Sequence, residues 1–325
     1  MAEMTYASAK SAAATYVAAA KQAEAWSKTT NNFAGLIDKI GKTITIDGNY
    51  MDKLPELDGE DMKAGRTIEE YFMALTLPEA YSSLATEMAK NNVPHLPTIK
   101  EVSYSLSLGR EKISTTVPYN DVERAFNTTS EAAGLLTMIT KRLQDSYNLT
   151  KYFEKKQLLG NAASKCLAQK STNTDVYTSI AKPIDTATAE AWLEQVKKDV
   201  ESASFAHEGG LNKALIGASP ELLLIVSKGV LPTVDVQAMA GAFQEKRLAI
   251  PAKVVVVDDF GTITGGTSGK SVFAMLIDPR GIKLHENYNV VRDDPNGAGD
   301  AVNFYKHYEH TGFISKYTYM KVYEG

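Results

Sequence analysis

The hydrophobic pattern changes period twice along this chain. From Ile99 to Val117 it alternates. Ile99, Glu101, Ser103, Ser105 and Ser107 fall on one face, and Val102, Tyr104, Leu106 and Leu108 largely on the other. That alternation predicts a half-buried strand. Gly109-Arg110 allows a bend or bulge, Ile113 to Val117 resumes β-branched composition, and Pro118 ends the strand. Its partner is expected upstream, before or around Gly65, and a ribbon of this length cannot bury both faces within its own chain. The period then becomes helical. Thr128 and Glu131 have the spacing of a capping box. Ala132, Leu136, Ile139, Leu143 and Tyr147 recur every three or four residues, and Leu149, Tyr152 and Phe153 continue the stripe with a small rotation. Lys141, Arg142, Asp145, Lys151, Glu154, Lys155 and Lys156 take the remaining faces, and Gly160-Asn161 is the expected stop. A helix of about 30 residues spans roughly 45 Å at 1.5 Å per residue.

Ahead of these elements, residues 5–29 are Ala-rich, with Tyr6, Tyr16, Val17 and Trp26. They predict a helix with a light apolar face, one that docks on a partner or stays mobile. Residues 171–184, rich in Ser and Thr and containing Pro183, predict a boundary. Beyond it helices and strands alternate through Ala187–Glu201, Glu221–Lys228, Val234–Lys246, Val254–Asp258 and Ser271–Ile277. This is the pattern of a compact α/β unit. The aromatic-rich stretch from Asn303 to Glu324 predicts strands that return to the helix-bearing part. Asp293 to Gly299 predicts a mobile loop to which no role is assigned.

With 325 residues the chain can bury a large core, divided between two subdomains. A net charge of −4 and a pI near 5.8 argue against a dedicated nucleic-acid binder, which normally presents a basic surface. The single cysteine, Cys166, cannot form an internal disulfide, which fits a reducing compartment. No apolar run is long enough to span a bilayer, and the N-terminus lacks the basic start and apolar core of a signal peptide.

Several segments imitate chemical motifs. Val254–Val257 followed by Gly265-Gly266-Thr267-Ser268-Gly269-Lys270-Ser271 resembles a strand entering a phosphate-binding loop. A Walker loop needs a glycine, four residues, then Gly-Lys-Ser/Thr. Counting back from Gly269, the first glycine falls on Thr264. Val272–Ile277 then reads as a strand stopped by Asp278-Pro279, so the segment predicts a turn between strands with Lys270 on a solvated edge. Asp259-Phe260-Gly261 lacks the other kinase elements. His307 and His310, three apart on a strand, point to opposite faces, and His95, His207 and His285 are isolated. Paired acids such as Glu69-Glu70 and Asp258-Asp259 alternate faces in the same way. No catalytic residue, metal site or cofactor site is expected.

The order Asn32-Phe33 through Ile40-Gly41, then Gly65-Arg66-Thr67-Ile68-Glu69-Glu70, then the ribbon and the long helix, resembles the major capsid proteins of phi-29-type short-tailed phages. The resemblance continues through Ala191-Trp192-Leu193-Glu194, the Asp235-Val236 to Phe243 segment, Val254–Val257 and the Tyr-rich end, and so covers roughly residues 32–325. It implies an α+β fold of the Hong Kong 97-like coat type. The implied parts are an N-terminal arm over 1–50, an extended loop over 51–118 and a peripheral domain with a spine helix over 119–184. An axial domain over 185–285 and return strands over 286–325 complete it. It implies a non-enzymatic, cofactor-free subunit assembling with itself into pentamers and hexamers of a phage head. A scaffolding protein, a portal and packaged double-stranded DNA are the implied partners, with no membrane. Gly65, Arg66, Thr67, Glu69, Glu70 and Arg110 are the implied inter-subunit contacts. The sequence ends at Gly325, where some relatives carry an immunoglobulin-like domain, so no role tied to that domain is expected. The alternatives are an encapsulin-like compartment and a nucleotide-binding protein using Gly265–Ser271.

Overall fold

The computed structural model describes residues 50–62, 65, 67–73, 99–104, 106–118, 129–219, 221–232, 234 and 252–325. The expected N-terminal helix, the capping box at Thr128, the 235–243 helix, Arg66 and His95 lie outside the described residues. Tyr50–Gly325 form one compact unit, organised around a sheet with a helix on each face.

In chain order the elements begin with β1 (Ile68–Met73), β2 (Ile99–Tyr104), β3 (Leu106–Pro118) and helix α1 (Thr129–Ala168). Then come β4 (Tyr177–Ser179), α2 (Thr186–Ala203), β5 (His207–Gly209), β6 (Ala214–Ile216), β7 (Leu223–Ser227) and β8 (Lys253–Val257). β9 (Val272–Ile277), β10 (Ile282–Asn296), β11 (Ala301–Ile314) and β12 (Met320–Glu324) complete the chain.

The central sheet has the order β4-β12-β9-β7-β8. Two of its three inner strands, Leu-Leu-Ile-Val-Ser and Val-Phe-Ala-Met-Leu-Ile, are nearly continuous apolar runs, as strands covered on both faces must be. In the third, Met-Lys-Val-Tyr-Glu, Lys321 is paired with Asp199 and Glu324 with Thr267. Residue parity divides the three strands except at Phe273, which joins Ala274 and Leu276 on the α2 side beside the register shift between Tyr323 and Glu324. Leu223, Ile225, Met275, Ile277, Met320 and Val322 join Leu158, Leu159, Ala162 and Cys166 of α1 in one core. Leu222, Leu224, Val226, Phe273, Leu276 and Tyr323 join Trp192, Leu193 and Val196 of α2 in the other. The strands therefore come from both sides of residue 185, and the cores divide by sheet face rather than by chain position. The 171–184 segment supplies β4, which adds parallel to β12. Asp185 caps α2 through a reciprocal box with Thr188.

α1 is 40 residues long and passes through the expected stop at Gly160. A Cβ on Gly160 would lie 2.5 Å from the Phe260 carbonyl oxygen and 3.0 Å from that of Thr262. This glycine is a close-approach residue that seats the helix on the 260–262 loop, not a cap. The apolar stripe also differs from the expectation. Leu143, Tyr147 and Tyr152 are buried, but Leu149 and Phe153 are turned outward. Lys155, expected on an outer face, is fully buried, because it sits three residues after Tyr152 on the stripe itself.

The Lys155 ammonium donates to the Leu54 carbonyl at 2.8 Å, pairs with Asp58 at 2.7 Å and meets Asp52. Burial works to raise the Asp58 pKa, but hydrogen bonds from Lys151 and Lys155 outweigh it and hold the carboxyl below its usual value. Cys166 is buried beside the sheet, and burial pushes its thiol up to about 12, which keeps it protonated and inert.

Two strand expectations are corrected. Only Ile99–Tyr104 pairs upstream, antiparallel to β1. β3 instead pairs with the downstream β11, in a sheet of order β10-β11-β3. The Asp293–Gly299 loop is also replaced: β10 runs to Asn296, and a turn at 297–300 leads into β11. Alternation alone does not name a partner, and a polar two-stranded hairpin reads as a loop.

Gly160→Ala is expected to destabilise the chain by about 1–3 kcal/mol through overpacking, although alanine is the better helix former by about 1 kcal/mol. The exposed neighbour substitution Asn161→Ala should stay within about 0.5 kcal/mol. Urea unfolding of both variants checks this. Lys155→Ala is expected to cost roughly 1–3 kcal/mol, since it leaves the buried Leu54 carbonyl and the half-buried Asp52 carboxylate without their donor. Because the Asp58 pKa is depressed on folding, its contribution is present above the ordinary carboxylate value of about 3.9 and is lost as pH falls through the folded value. The penalty of Lys155→Ala should therefore shrink in acid-shifted unfolding curves.

Candidate assembly surface

The β1–β2 ribbon is set apart from both larger sheets and presents two unlike faces. Ile68, Glu70 and Phe72 stand opposite Tyr104, Val102 and Lys100, while Glu69, Tyr71 and Met73 stand opposite Ser103, Glu101 and Ile99. The first set faces the body of the chain. Phe72 stacks on Tyr317 with centroids 4.6 Å apart and planes at 7°, and Tyr104 meets Phe313 edge-on at 4.9 Å. These contacts fix the ribbon to the β11–β12 connection.

Glu70 belongs to this inner face. It accepts from the Tyr104 hydroxyl at 2.7 Å and from the Ser315 hydroxyl. Burial first, then the Glu70 contact, pushes the Tyr104 pKa upward. The Tyr104 oxygen in turn accepts from the Lys316 N–H at 3.2 Å. Glu70 is therefore committed within its own chain.

The outer face is of another kind. Tyr71, Met73 and Ile99 are 63%, 59% and 56% exposed, and they are flanked by the exposed Glu69 and Glu101. The Tyr71 hydroxyl donates to Glu69 at 3.0 Å, and that bond, ahead of the Glu101 charge, raises the phenol's pKa. Three large apolar side chains side by side on an exposed two-stranded ribbon form the kind of patch that marks an interaction surface.

Among the other residues singled out in the sequence, Gly65 has φ +91° with open space around it, and its carbonyl accepts from Asn287 Nδ2 at 3.1 Å, so the ribbon's base is tied to β10. Thr67 is exposed. Arg110 lies in β3, in the other sheet, with its guanidinium 4.1 Å over the Tyr288 ring. The structure thus places Thr67 and Glu69 on exposed positions of the ribbon segment, Glu70 on its inner face and Arg110 elsewhere. Tyr71 and Met73 were legible as partners of Glu69 by parity but were masked by the attention its charge draws.

The motif-like segments resolve into structural contacts. The Gly265–Ser271 segment leads into strand β9, not a helix. Its place for an anion is filled from within: Glu324 accepts from the Thr267 N–H at 2.5 Å, the Thr267 hydroxyl at 2.8 Å and the Tyr177 hydroxyl at 2.7 Å. Burial opposes the charge, but these bonds hold the Glu324 pKa below its usual value. Lys270 donates to the Ser179 hydroxyl at 2.6 Å. Phe260 is a core residue, and Asp258 and Asp259 both pair with Lys156 at 3.1 Å. His310 is buried against Tyr147 and Glu154, whereas His307 lies beside Tyr305. Among the described residues no group of three or more His, Cys, Asp or Glu side chains is placed to hold a metal ion. No described helix is long and apolar enough to cross a membrane.

Residues 2–319 match the family model described as Phi29-like phage major capsid protein. The chain is 22% identical over 295 residues to the major capsid protein of Bacillus phage PZA, covering 88% of this chain and 62% of that protein. It is 20% identical over 280 residues to that of Bacillus phage B103, covering 84% and 58%. The chain thus spans about 60% of the length of these curated relatives. In fold it is similar to a chain in the capsid structure of Staphylococcus phage Andhra, with TM-score 0.65, 15% identity and 87% of each chain covered. It is also similar to a chain in the mature capsid of bacteriophage PhiM1, with TM-score 0.55, 11% identity and 87% and 89% covered. The fold is thus that of phage capsid proteins of the Hong Kong 97-like type, and the chain belongs to the Phi29-like phage major capsid protein family.

Proposed function

We propose that this chain is a coat subunit that assembles with copies of itself into pentamers and hexamers tiling a closed phage head around double-stranded DNA. The observation that carries the reading is the outer face of the β1–β2 ribbon. It places Tyr71, Met73 and Ile99 in water while the inner face of the same ribbon is anchored by two aromatic pairs. A ribbon held this firmly on one side and apolar on the other is built to cover, or be covered by, a neighbour. Glu69 and Glu101 at its rim set register and partner choice more than affinity.

In this reading residues 51–118 supply the overlap with an adjacent subunit, residues 119–184 the peripheral domain and residues 185–285 the crowding around local symmetry axes. Residues 286–325 return to the helix-bearing part, and 1–50 form an arm. Assembly is guided by a scaffolding protein and completed at a portal, and DNA is enclosed without specific recognition, consistent with a net charge of −4. The subunit's chemistry is conformational rather than enzymatic. An encapsulin-like compartment is not favoured, because the matching family is one of phage capsids. A nucleotide-binding role is disfavoured by Glu324, which occupies the anion position of the Gly265–Ser271 loop.

The two ribbon faces give opposite expected outcomes. Tyr71→Ser with Met73→Ser should abolish or reduce shell yield, read by sedimentation and negative-stain microscopy, while leaving the thermal midpoint of the unassembled subunit unchanged. Glu70→Ala should lower that midpoint, by roughly 1–3 kcal/mol in stability for hydroxyl donors left without an acceptor. Normal shells from the double variant would remove the outer face from the assembly contact.

A further inference from the structure

The joint between α1 and the β10–β11 hairpin contains a chain of polar groups, buried at Tyr147 and His310 and half-buried at the Glu154 and Glu286 ends. Glu154 and Tyr147 come from α1, His310 from β11 and Glu286 from β10. His310 is buried, with Nδ1 2.5 Å from Glu154 Oε2 and Nε2 3.0 Å from the Tyr147 hydroxyl oxygen. That hydroxyl donates to Glu286 Oε2.

Three contacts in series require three protons, since an ionised carboxylate only accepts and facing lone pairs repel. The Tyr147 phenol supplies one. Burial foremost, then the Glu286 contact, pushes its pKa upward, so the phenol keeps its proton. A neutral imidazole supplies the second, from Nε2 to the Tyr147 oxygen. The contact between His310 Nδ1 and Glu154 is then left with none. We propose that the folded chain holds one further proton here, beyond two ionised carboxylates and a neutral ring. The Glu154–His310–Tyr147–Glu286 array is on this account a proton-dependent clasp between the long helix and the hairpin.

The surroundings suit that count. Two carboxylates and one added proton leave one negative charge. The Lys306 ammonium of β11 faces it, 4.3 Å from the Tyr147 ring and donating to Gln144 at 2.8 Å. Tyr308, also of β11, lies with its ring 5.3 Å from that of His310 and donates its hydroxyl to Glu111 of β3 at 2.5 Å. Asp58, whose charge also reaches Tyr147, is already paired by Lys151 and Lys155. Lys151 and Lys155 are thus engaged with another carboxylate, and the added proton is what completes the array. Its loss sets the Nδ1 lone pair against Glu154 and leaves a second half-buried negative charge, which loosens the hairpin from the helix.

Above the pH at which a free imidazole gives up its proton, roughly 6.5, the folded chain holds a proton that the unfolded chain lacks. Stability therefore falls as pH rises through this range, by up to about tenfold in the unfolding constant per pH unit. Glu154→Gln tests this directly. The amide can donate to Nδ1, so a neutral ring completes all three contacts with no added proton. Urea unfolding of the unassembled chain between about pH 6.5 and 8.5 should show a wild-type profile that steepens relative to Glu154→Gln. Parallel profiles overturn the proposal, because a purely structural contact would shift both equally at every pH. Should Glu154→Gln fail to fold, hydrogen exchange of the wild type carries the test. Corrected for intrinsic rates, protection of residues 147–154 and 286–310 should drop between pH 6.5 and 8.5, and unchanged protection there would refute the clasp.

Discussion

Everything else in the described chain depends on one sheet that must be dry on both sides. β7 and β9 are apolar at nearly every position and β12 sends Val322 and Tyr323 to opposite faces, so neither face can be left to water, and α1 and α2 are the two covers. Because side chains alternate across a strand, the same three segments supply two separate cores without sharing a residue. β12 lies between β4 and β9, so the last described strand joins chain regions that are far apart in sequence. β12 therefore closes the sheet, with its Glu324 holding the 265–271 loop through Thr267.

This sheet positions the assembly surface indirectly. Tyr317, in the link between β11 and β12, belongs to the α2-side core and also stacks on Phe72 of the ribbon. Ser315, next to it, donates to Glu70. The ribbon is thus fixed to the most constrained part of the molecule and offers its other face outward. α1 meets β10 and β11 through hydrocarbon at Ile282, Leu284 and Ile314 and, nearer its N-terminal half, through the polar array of Glu154, His310, Tyr147 and Glu286. The sheet is thus held mainly by apolar contact, and the helix–hairpin joint adds the proposed proton-dependent clasp.

Much of this was legible in the sequence, and what was not has definite physical causes. The two faces of β2 follow from parity, which separates Val102 and Tyr104 from Ile99 in the sequence; which face turns inward is set by the contacts with Phe313 and Tyr317. The long helix was legible from Leu143 and Tyr147, but its end was not, because glycine marks both a cap and a close approach, and only the loop at Phe260 distinguishes them. Lys155 was misplaced for a related reason: its charge outweighed its position on the stripe, and the carboxylates of Asp52 and Asp58 that make its burial tolerable lie about a hundred residues away. The pairing of β3 with β11 could not be read from alternation, which specifies a face and never a partner. Of the candidate contacts, Glu69 owes its outward place to the same parity that buries Glu70.

The most direct test of the account is a cryo-electron microscopy reconstruction of particles assembled from this chain, with its scaffolding protein supplied where needed. The account predicts closed shells in which a neighbouring copy covers Tyr71, Met73 and Ile99 while Phe72 stays stacked on Tyr317. Closed shells with that outer face bare to solvent, or a chain that remains monomeric under conditions that assemble its relatives, would contradict it.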